Sequence, residues 1–208
     1  GLDKIFKNSG FEIIWANDID PDSVKTYRKN IGDHIVLGDI EKIKTDKIPS
    51  NADVVIGGFP CQGFSIANKG RHVDDSRNKL YKQMLRVIRV KKPKYFVAEN
   101  VEGILTLGRG VVIQKIMKDF RSIGYKVDYK LLNAADYGVP QIRQRFICVG
   151  FKKNLGKFIF PNQTHSNQDN DNNLFSLPWV NCKDSIGDLE ASRVGIPLST
   201  NLSWSAYS

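Results

Sequence analysis

The order of hydrophobic and polar residues predicts strands that alternate with helices. Short runs rich in β-branched and aromatic residues, typical of buried strands, occur at residues 11–16, 34–37, 53–57, 95–99, 127–132 and 146–150. Helical spacing of apolar residues predicts helices at residues 2–9, 21–30, 78–90 and 111–123, with Pro21 as a start signal and Gly10 and Gly124 as stop signals. This alternation is typical of an α/β domain whose sheet is twisted, mostly parallel and flanked by helices.

The hydrophobic pattern changes after Phe151. Residues 164–173, with the sequence THSNQDNDNN, are too polar to be buried and are typical of an exposed loop or linker. We therefore expect a compact domain at residues 1–151 and a linker at residues 152–208.

Composition limits the class of protein. The chain of 208 residues, 41% of them hydrophobic, is long enough for one globular domain and contains no apolar run of about eighteen residues. We therefore expect a cytoplasmic protein without a membrane segment. Its three cysteines and three histidines are widely and irregularly spaced, which predicts neither a disulfide framework nor a metal site.

The formal net charge of +9 favours a polyanionic partner. The densest basic segment, residues 86–94, has two explanations that the sequence leaves open. It could contact nucleic acid, or its cations could interact with the carboxyl end of a predicted helix. Charge alone therefore does not decide whether the protein binds nucleic acid.

Polar and reactive residues follow four consecutive predicted strands. Asp18, Asp39, Cys61 and Asn100 each lie at or just beyond the end of such a strand. Ligands of open α/β sheets bind at the carboxyl ends of the strands, so we expect these residues to share one edge of the sheet.

Five short segments stand out as motifs: GGFPCQGFS at residues 57–65, ENV at 99–101, QIRQR at 141–145, NDID at 17–20 and GDI at 38–40. Together they resemble the motifs of one family, the C5-cytosine-specific DNA methyltransferases of bacterial restriction-modification systems. The resemblance implies a Rossmann-like fold that binds S-adenosylmethionine and methylates C5 of cytosine in double-stranded DNA, in the bacterial cytoplasm and with no metal. It also implies a restriction endonuclease as a functional partner that does not bind the protein.

The resemblance assigns Cys61 as the nucleophile. Carbon 5 of cytosine becomes reactive only after a nucleophile adds to C6, and a thiolate is suited to that addition. An isolated cysteine is more often buried and inert, and the motif around Cys61 is what reverses that expectation.

The resemblance also places a carboxyl group and two guanidinium groups in the pocket. Addition at C6 puts negative charge on N3 and O2, where Glu99 would share a proton, provided that its surroundings disfavour the charged carboxylate. Arg143 and Arg145 would hold O2 or a nearby phosphate and stabilise Glu99. Taken alone, Glu99 could instead pair with a lysine, and the arginines could be solvated on an edge strand.

The cofactor and DNA contacts are implied in the same way. Asp18 and Asp39 would bind the ribose hydroxyls and the adenine amine, although an Asp at such a position, taken alone, is more often a helix cap or a turn residue. Apolar contacts to the cofactor are expected from Ile19, Ile40, Phe59 and Pro60. Contacts to DNA that carries a flipped-out cytosine are expected from Gln62, Ser65, Lys69, Arg71 and Gln141, unless these belong to plain solvated loops.

The chain departs from the family at both ends. A glycine-rich strand and turn would precede Gly1, and a target-recognition region would follow Ser208. We therefore expect a fragment that lacks its first, central strand and folds poorly alone. Two rivals remain, a relative that methylates cytosine in tRNA and a catalytically idle nucleic-acid-binding relative. A nicotinamide-dependent enzyme is disfavoured because no GxGxxG follows the first predicted strand.

Overall fold

The computed structural model describes residues 10–59, 79–167 and 176–187. Its helices are α1 (Pro21–Asn30), α2 (Lys79–Lys91), α3 (Val111–Ser122) and α4 (Cys182–Ile186). Its strands are β1 (Ala16–Asp18), β2 (Ile35–Leu37), β3 (Val54–Gly58), β4 (Tyr95–Val101), β5 (Tyr125–Asn133), β6 (Gln144–Lys152), β7 (His165–Ser166) and β8 (Leu177–Pro178). The predicted helix at residues 2–9 lies outside the described residues.

Contacts divide the chain into two compact units. The first unit comprises residues 1–133 and 143–162, and the second comprises residues 134–142 and 163–208. The units therefore alternate along the chain instead of meeting at residue 151. The assignment of function to one side of that boundary stays a prediction.

The first unit contains two sheets. Strands β3, β4, β6 and β5 form one sheet in that order, and β1 pairs with β2 in the other. β3 and β4 are parallel, whereas β6 is antiparallel to both β4 and β5, so β6 alone runs against its three companions in the described sheet. The α/β prediction is confirmed, and the direction of β6 is what the hydrophobic pattern did not reveal.

One hydrophobic cluster joins α2 and α3 to the four-stranded sheet. Phe96 of β4 is fully buried, and its ring centroid lies 4.6 Å from that of Phe120 on α3. Gly150 of β6 pairs with Phe96 in the ladder, and a β-carbon at Gly150 would lie 1.9 Å from the Phe96 ring. This close approach explains why a glycine occupies the middle of a strand.

Two predicted boundaries can be compared with the structure in detail. The first strand was predicted at residues 11–16, but only Ala16–Asp18 pairs with a neighbour, namely β2, so Asp18 ends the strand instead of following it. Helix α1 begins at Pro21 as predicted, because Asp20 caps it by accepting a hydrogen bond from the Ser23 backbone N–H at 2.9 Å.

The second unit forms around Asp136. Its carboxylate accepts hydrogen bonds from Gln163 Nε2 at 2.7 Å and from Trp179 Nε1 at 3.0 Å. Its carbonyl accepts from the Thr164 backbone N–H at 3.0 Å. Residues that follow the compact domain expected from the sequence thus take part in a hydrogen-bonded structure, and are more than a linker.

Candidate active site

The carboxyl ends of β1 and β2 lie side by side. The two strands are parallel, with Asp18 opposite Leu37. The Gly38 backbone N–H donates to the Asp18 carbonyl at 2.9 Å, and the Asn17 side-chain amide donates to the carbonyls of Val36 and Gly38 at 2.9 and 2.8 Å. These bonds bring the NDID and GDI segments together, as their position after neighbouring strands predicted.

Asp18 and Asp39 each use one carboxylate oxygen to shape a turn. Asp18 Oδ1 accepts from the Asp20 backbone N–H, and Asp39 Oδ1 accepts from the Glu41 backbone N–H, both at 2.9 Å. No hydrogen bond within the described part of the chain uses Oδ2 of either residue. Both residues therefore shape turns, and their expected contacts with a cofactor stay a prediction.

The predicted apolar contacts differ in exposure. Ile19 is 67% exposed, so its side chain is open to solvent, and Ile40 is half-buried. Phe59 is 7% exposed, with its ring 6.1 Å from that of Tyr81 in the hydrophobic cluster. The Phe59 side chain is thus committed to packing, and its contact with a cofactor stays a prediction.

Glu99 and Arg145 form an ion pair at the carboxyl end of β4. The Arg145 Nε atom lies 2.8 Å from Glu99 Oε1, and the two side chains are 24% and 42% exposed, respectively. The antiparallel register places Glu99 opposite Ile147 and Val101 opposite Arg145, which brings the carboxylate and the guanidinium onto one face. The structure therefore gives Glu99 an arginine partner where the sequence alone allowed a lysine.

Gly58 leaves space for the Glu99 carboxylate. Glu99 pairs with Gly58 across the parallel ladder, and a β-carbon at Gly58 would lie 3.2 Å from Glu99 Oε2. The carboxyl group thus lies between Gly58, which has no side chain, and the Arg145 guanidinium. Part of it remains open to solvent.

Asn100 lies at a strand end that the sequence pointed to, and the structure gives it a role that the sequence did not specify. It is 3% exposed, and its side-chain amide donates to the Phe59 carbonyl at 2.7 Å. Its Oδ1 atom accepts from the Val101 backbone N–H at 2.9 Å. Asn100 therefore fixes the main chain at the last described residue before Pro60. The available signal was a polar residue at a buried strand position, which requires a hydrogen-bonding partner.

The other predicted residues are more exposed or lie outside the described part of the chain. Arg143 is exposed, and its backbone N–H donates to Asn133 Oδ1 at 3.0 Å. Gln141 is exposed in the second unit. The residues outside the described ranges are Pro60, Cys61, Gln62, Ser65, Lys69 and Arg71.

The basic segment at residues 86–94 makes contacts within the protein. Lys94 Nζ pairs with Asp53 Oδ1 at 2.8 Å, and Lys91 Nζ donates to Ser50 Oγ at 3.0 Å. The Arg86 guanidinium donates to the carbonyls of Ile40 and Ile43. The structure thus gives these three cations partners within the protein, and both explanations that the sequence left open stay predictions.

The described cysteines differ from the nucleophile that the sequence predicts. Cys148 is fully buried, with its Sγ atom 3.9 Å from Met117 Sδ, and burial raises the pKa of its thiol to about 12. Cys182 is exposed, and its Sγ atom lies 3.4 Å from the Pro140 carbonyl. Cys148 is therefore a neutral packing residue at neutral pH.

The described residues lack both a metal-binding cluster and a membrane-spanning helix. Residues 10–59, 79–167 and 176–187 contain no group of three His, Cys, Asp or Glu side chains that could hold a metal ion. Within the same ranges, none of the helices has the length and apolar character needed to cross a membrane. The expectation that no metal is used stays a prediction.

Comparison with known sequences identifies close relatives. The family described as C-5 cytosine-specific DNA methylase matches residues 1–206. The Type II methyltransferase M.NgoFVII of Neisseria gonorrhoeae is 43% identical over 191 residues, which cover 91% of this chain and 50% of that protein. M.BspRI of Lysinibacillus sphaericus is 46% identical over 184 residues, which cover 87% of this chain and 41% of that protein. The chain spans half or less of the length of these relatives.

Comparison with solved structures also finds methyltransferases. A protein named as a DNA modification methyltransferase, encoded within an E. coli prophage, is 30% identical with a TM-score of 0.66, over 87% of this chain and 49% of that one. The S. pombe Dnmt2 methyltransferase is 21% identical with a TM-score of 0.60, over 73% of this chain and 46% of that one. The second likeness concerns the fold alone.

Proposed function

Because the chain belongs to the C-5 cytosine-specific DNA methylase family, we propose that it transfers a methyl group from S-adenosylmethionine to C5 of a flipped-out cytosine in double-stranded DNA. The observation that supports this best is the ion pair between Glu99 and Arg145 at 2.8 Å, at the strand end next to buried Asn100. A carboxyl and a guanidinium group in this arrangement can act on the N3 and O2 side of a cytosine ring.

The residues at the ends of β1 and β2 fit S-adenosylmethionine. Among the described residues nothing donates to the second carboxylate oxygens of Asp18 and Asp39, which would accept from hydroxyl or amine groups, and Ile19 offers an exposed apolar surface to an adenine ring. When bound, this cofactor supplies an electrophilic methyl group. Asp18, Asp39, Ile19 and Ile40 would hold its nucleoside part, and the side chain of Phe59 would support them from the core.

The chemistry we propose uses Cys61 as a covalent nucleophile. Its thiolate adds to C6, the ring electrons move to C5, and C5 takes the methyl group from the sulfonium sulfur of S-adenosylmethionine, so that S-adenosylhomocysteine is the leaving group. The proton on C5 then leaves to solvent, and elimination of the Cys61 thiolate restores the aromatic ring. Glu99 would donate or share a proton at N3 during addition, while Arg145 stabilises the charge on O2 and orients Glu99.

DNA contacts follow from the charge and from the family. The net charge of +9 favours a polyanion, and Gln62, Ser65, Lys69, Arg71, Gln141 and Arg143 would contact the duplex around the flipped base. As relatives are named Type II methyltransferases, we propose a restriction-modification role in the bacterial cytoplasm, with an endonuclease as a functional partner. Activity on tRNA remains the rival, since it would use the same chemistry.

One experiment tests the proposal. The full-length protein is incubated with S-adenosylmethionine carrying a labelled methyl group, and with either duplex DNA or tRNA. We expect label at C5 of cytosine in the duplex and none in tRNA, and no label with Cys61→Ala. Label in tRNA would establish the rival function, and binding of DNA without transfer by the native protein would identify an idle relative.

A further inference from the structure

Arg86 of α2 is bound to the chain segment that follows β2. Its guanidinium donates to the carbonyl of Ile40 at 2.7 Å and to the carbonyl of Ile43 at 3.0 Å. A third hydrogen bond, from Nε to Gln83 Oε1 at 2.7 Å, fixes the direction of the side chain. Arg86 is half-buried. A planar fork with donors on several nitrogens suits this contact, because it can bond two carbonyls at once.

The segment held by Arg86 carries two residues of the proposed cofactor site, Asp39 and Ile40. Its other side is tied to β1, through the Asn17 amide that donates to the Gly38 carbonyl at 2.8 Å. Asp39 also shapes the segment from within, by accepting from the Glu41 backbone N–H. Arg86 therefore supplies the contact from the helix side, and it does so at the main chain of Ile40 itself.

We propose that Arg86 is a positioning residue for the nucleoside side of the S-adenosylmethionine site. It acts through the main chain of Ile40 and the placement of Asp39, and it touches neither the cofactor nor DNA. This inference rests on the proposed function and adds a residue to the same site. Loss of the guanidinium weakens cofactor binding, while turnover at saturating cofactor and the affinity for DNA are retained.

The basic surroundings of Arg86 supply a competing explanation. If Arg86 contacted DNA, its replacement would weaken DNA binding and reduce the salt dependence of that binding. If it served the fold alone, its replacement would lower thermal stability and affect both ligands equally. The three roles therefore differ in measurable ways.

The test compares Arg86→Lys and Arg86→Gln with Arg89→Gln, a control on the same helix in which an exposed arginine is changed. Calorimetric titration gives the Kd for S-adenosylmethionine, and methylation assays give kcat and the KM for each substrate. We expect Arg86→Gln to raise the cofactor Kd and KM roughly tenfold. Arg86→Lys should restore part of the loss, since an ammonium can donate to one of the carbonyls. Arg89→Gln should match the native protein.

A double-mutant cycle with Asp39→Ala sharpens the test. If Arg86 acts by placing Asp39, the combined loss of cofactor affinity is smaller than the product of the separate losses. Native-like cofactor binding in both Arg86 variants, or an equal loss for cofactor and DNA, would overturn the inference. Failure of the native protein to bind S-adenosylmethionine would instead overturn the proposed function, so the two failures are distinguishable. Arg86→Lys, the milder change, keeps the test valid if Arg86→Gln does not fold.

Discussion

The Glu99 carboxylate has a defined partner and an open side. Arg145 binds one of its oxygens at 2.8 Å, and the Glu99 side chain is 42% exposed. A base that stacked over this open side would remove water from the carboxyl group and strengthen its hydrogen bonds. The proton-sharing role of Glu99 stays a prediction.

The first prediction concerns this carboxyl group. Glu99→Gln keeps the shape of the side chain but cannot supply a proton, so we expect methyl transfer to slow by about 100-fold or more. Single-turnover methylation of duplex DNA measures the effect. Glu102→Gln, which removes a carboxylate three residues further along the chain, is the control and should turn over normally. Near-normal turnover of Glu99→Gln would make Glu99 a structural residue.

The second prediction concerns the choice of thiol. DNA that contains 5-fluorocytosine should trap the protein covalently, because fluorine on C5 blocks the elimination step. We expect the adduct at Cys61, since Cys148 is fully buried with a pKa raised to about 12 and stays protonated at neutral pH. Peptide mapping of the adduct identifies the cysteine that is modified. An adduct on Cys148 or Cys182, or one formed by Cys61→Ala, would refute the assignment.

At the residue scale, the sequence predicted roles for side chains that carry recognisable chemistry and missed the roles of side chains that act through the main chain. Asp18, Asp39, Glu99 and Arg145 were predicted, and the structure brings them to strand ends as adjacent pairs. Asn100 and Arg86 contribute by bonding to carbonyls. Such contacts depend on which backbone carbonyls come close to a side chain in the folded protein. The spacing of residues along the chain does not predict this.

At the element scale, the periodicity of apolar residues located helices and strands but not their partners. Helix α3 begins at Val111 as predicted and ends one residue before the predicted Ile123, followed by Gly124 at a φ of +96°. The first predicted strand was misplaced, because strand bounds depend on pairing, and only Ala16–Asp18 has a ladder partner in the described chain. Alternation along a strand likewise does not encode whether its neighbours are parallel, so the direction of β6 was not predicted.

The third prediction concerns the contact between β6 and β4. Gly150→Ala would place a β-carbon 1.9 Å from the buried Phe96 ring, so we expect a loss of about 1–3 kcal/mol or more in the free energy of unfolding. Gly103→Ala is the matched control, because a β-carbon there meets no atom within 4 Å. Urea or thermal unfolding measures both variants. Equal stability of the two would mean that the sheet has room at Gly150.

At the scale of the whole molecule, two parallel pairs of strands carry the candidate site. β1 and β2 hold Asp18 and lead to Asp39, while β3 and β4 lead to Pro60 and hold Glu99. Among the described residues no ladder joins these pairs. The family resemblance expects a further, central strand, and that expectation stays a prediction. The motifs indicated which residues lie at strand ends, because each motif is a short, continuous segment. The order of strands in the sheet depends on pairing between segments that are far apart in the sequence.

The last prediction concerns the charge of the whole chain. With 31 lysines and arginines against 22 acidic residues, the protein should bind duplex DNA with an affinity that falls steeply as salt rises, because bound cations release counterions from the phosphates. Each phosphate contact contributes about −0.9 to the slope of log affinity against log salt, so three or more contacts would lower affinity by about 40-fold or more between roughly 50 and 200 mM salt. Fluorescence anisotropy with a labelled duplex measures the slope.

Lys94→Gln should leave the slope nearly unchanged, since Lys94 pairs with Asp53 at 2.8 Å and is not free to replace a counterion. Binding that is insensitive to salt would show that the positive charge of the chain does not face DNA, and a slope reduced by Lys94→Gln would show that this lysine leaves Asp53 to contact a phosphate.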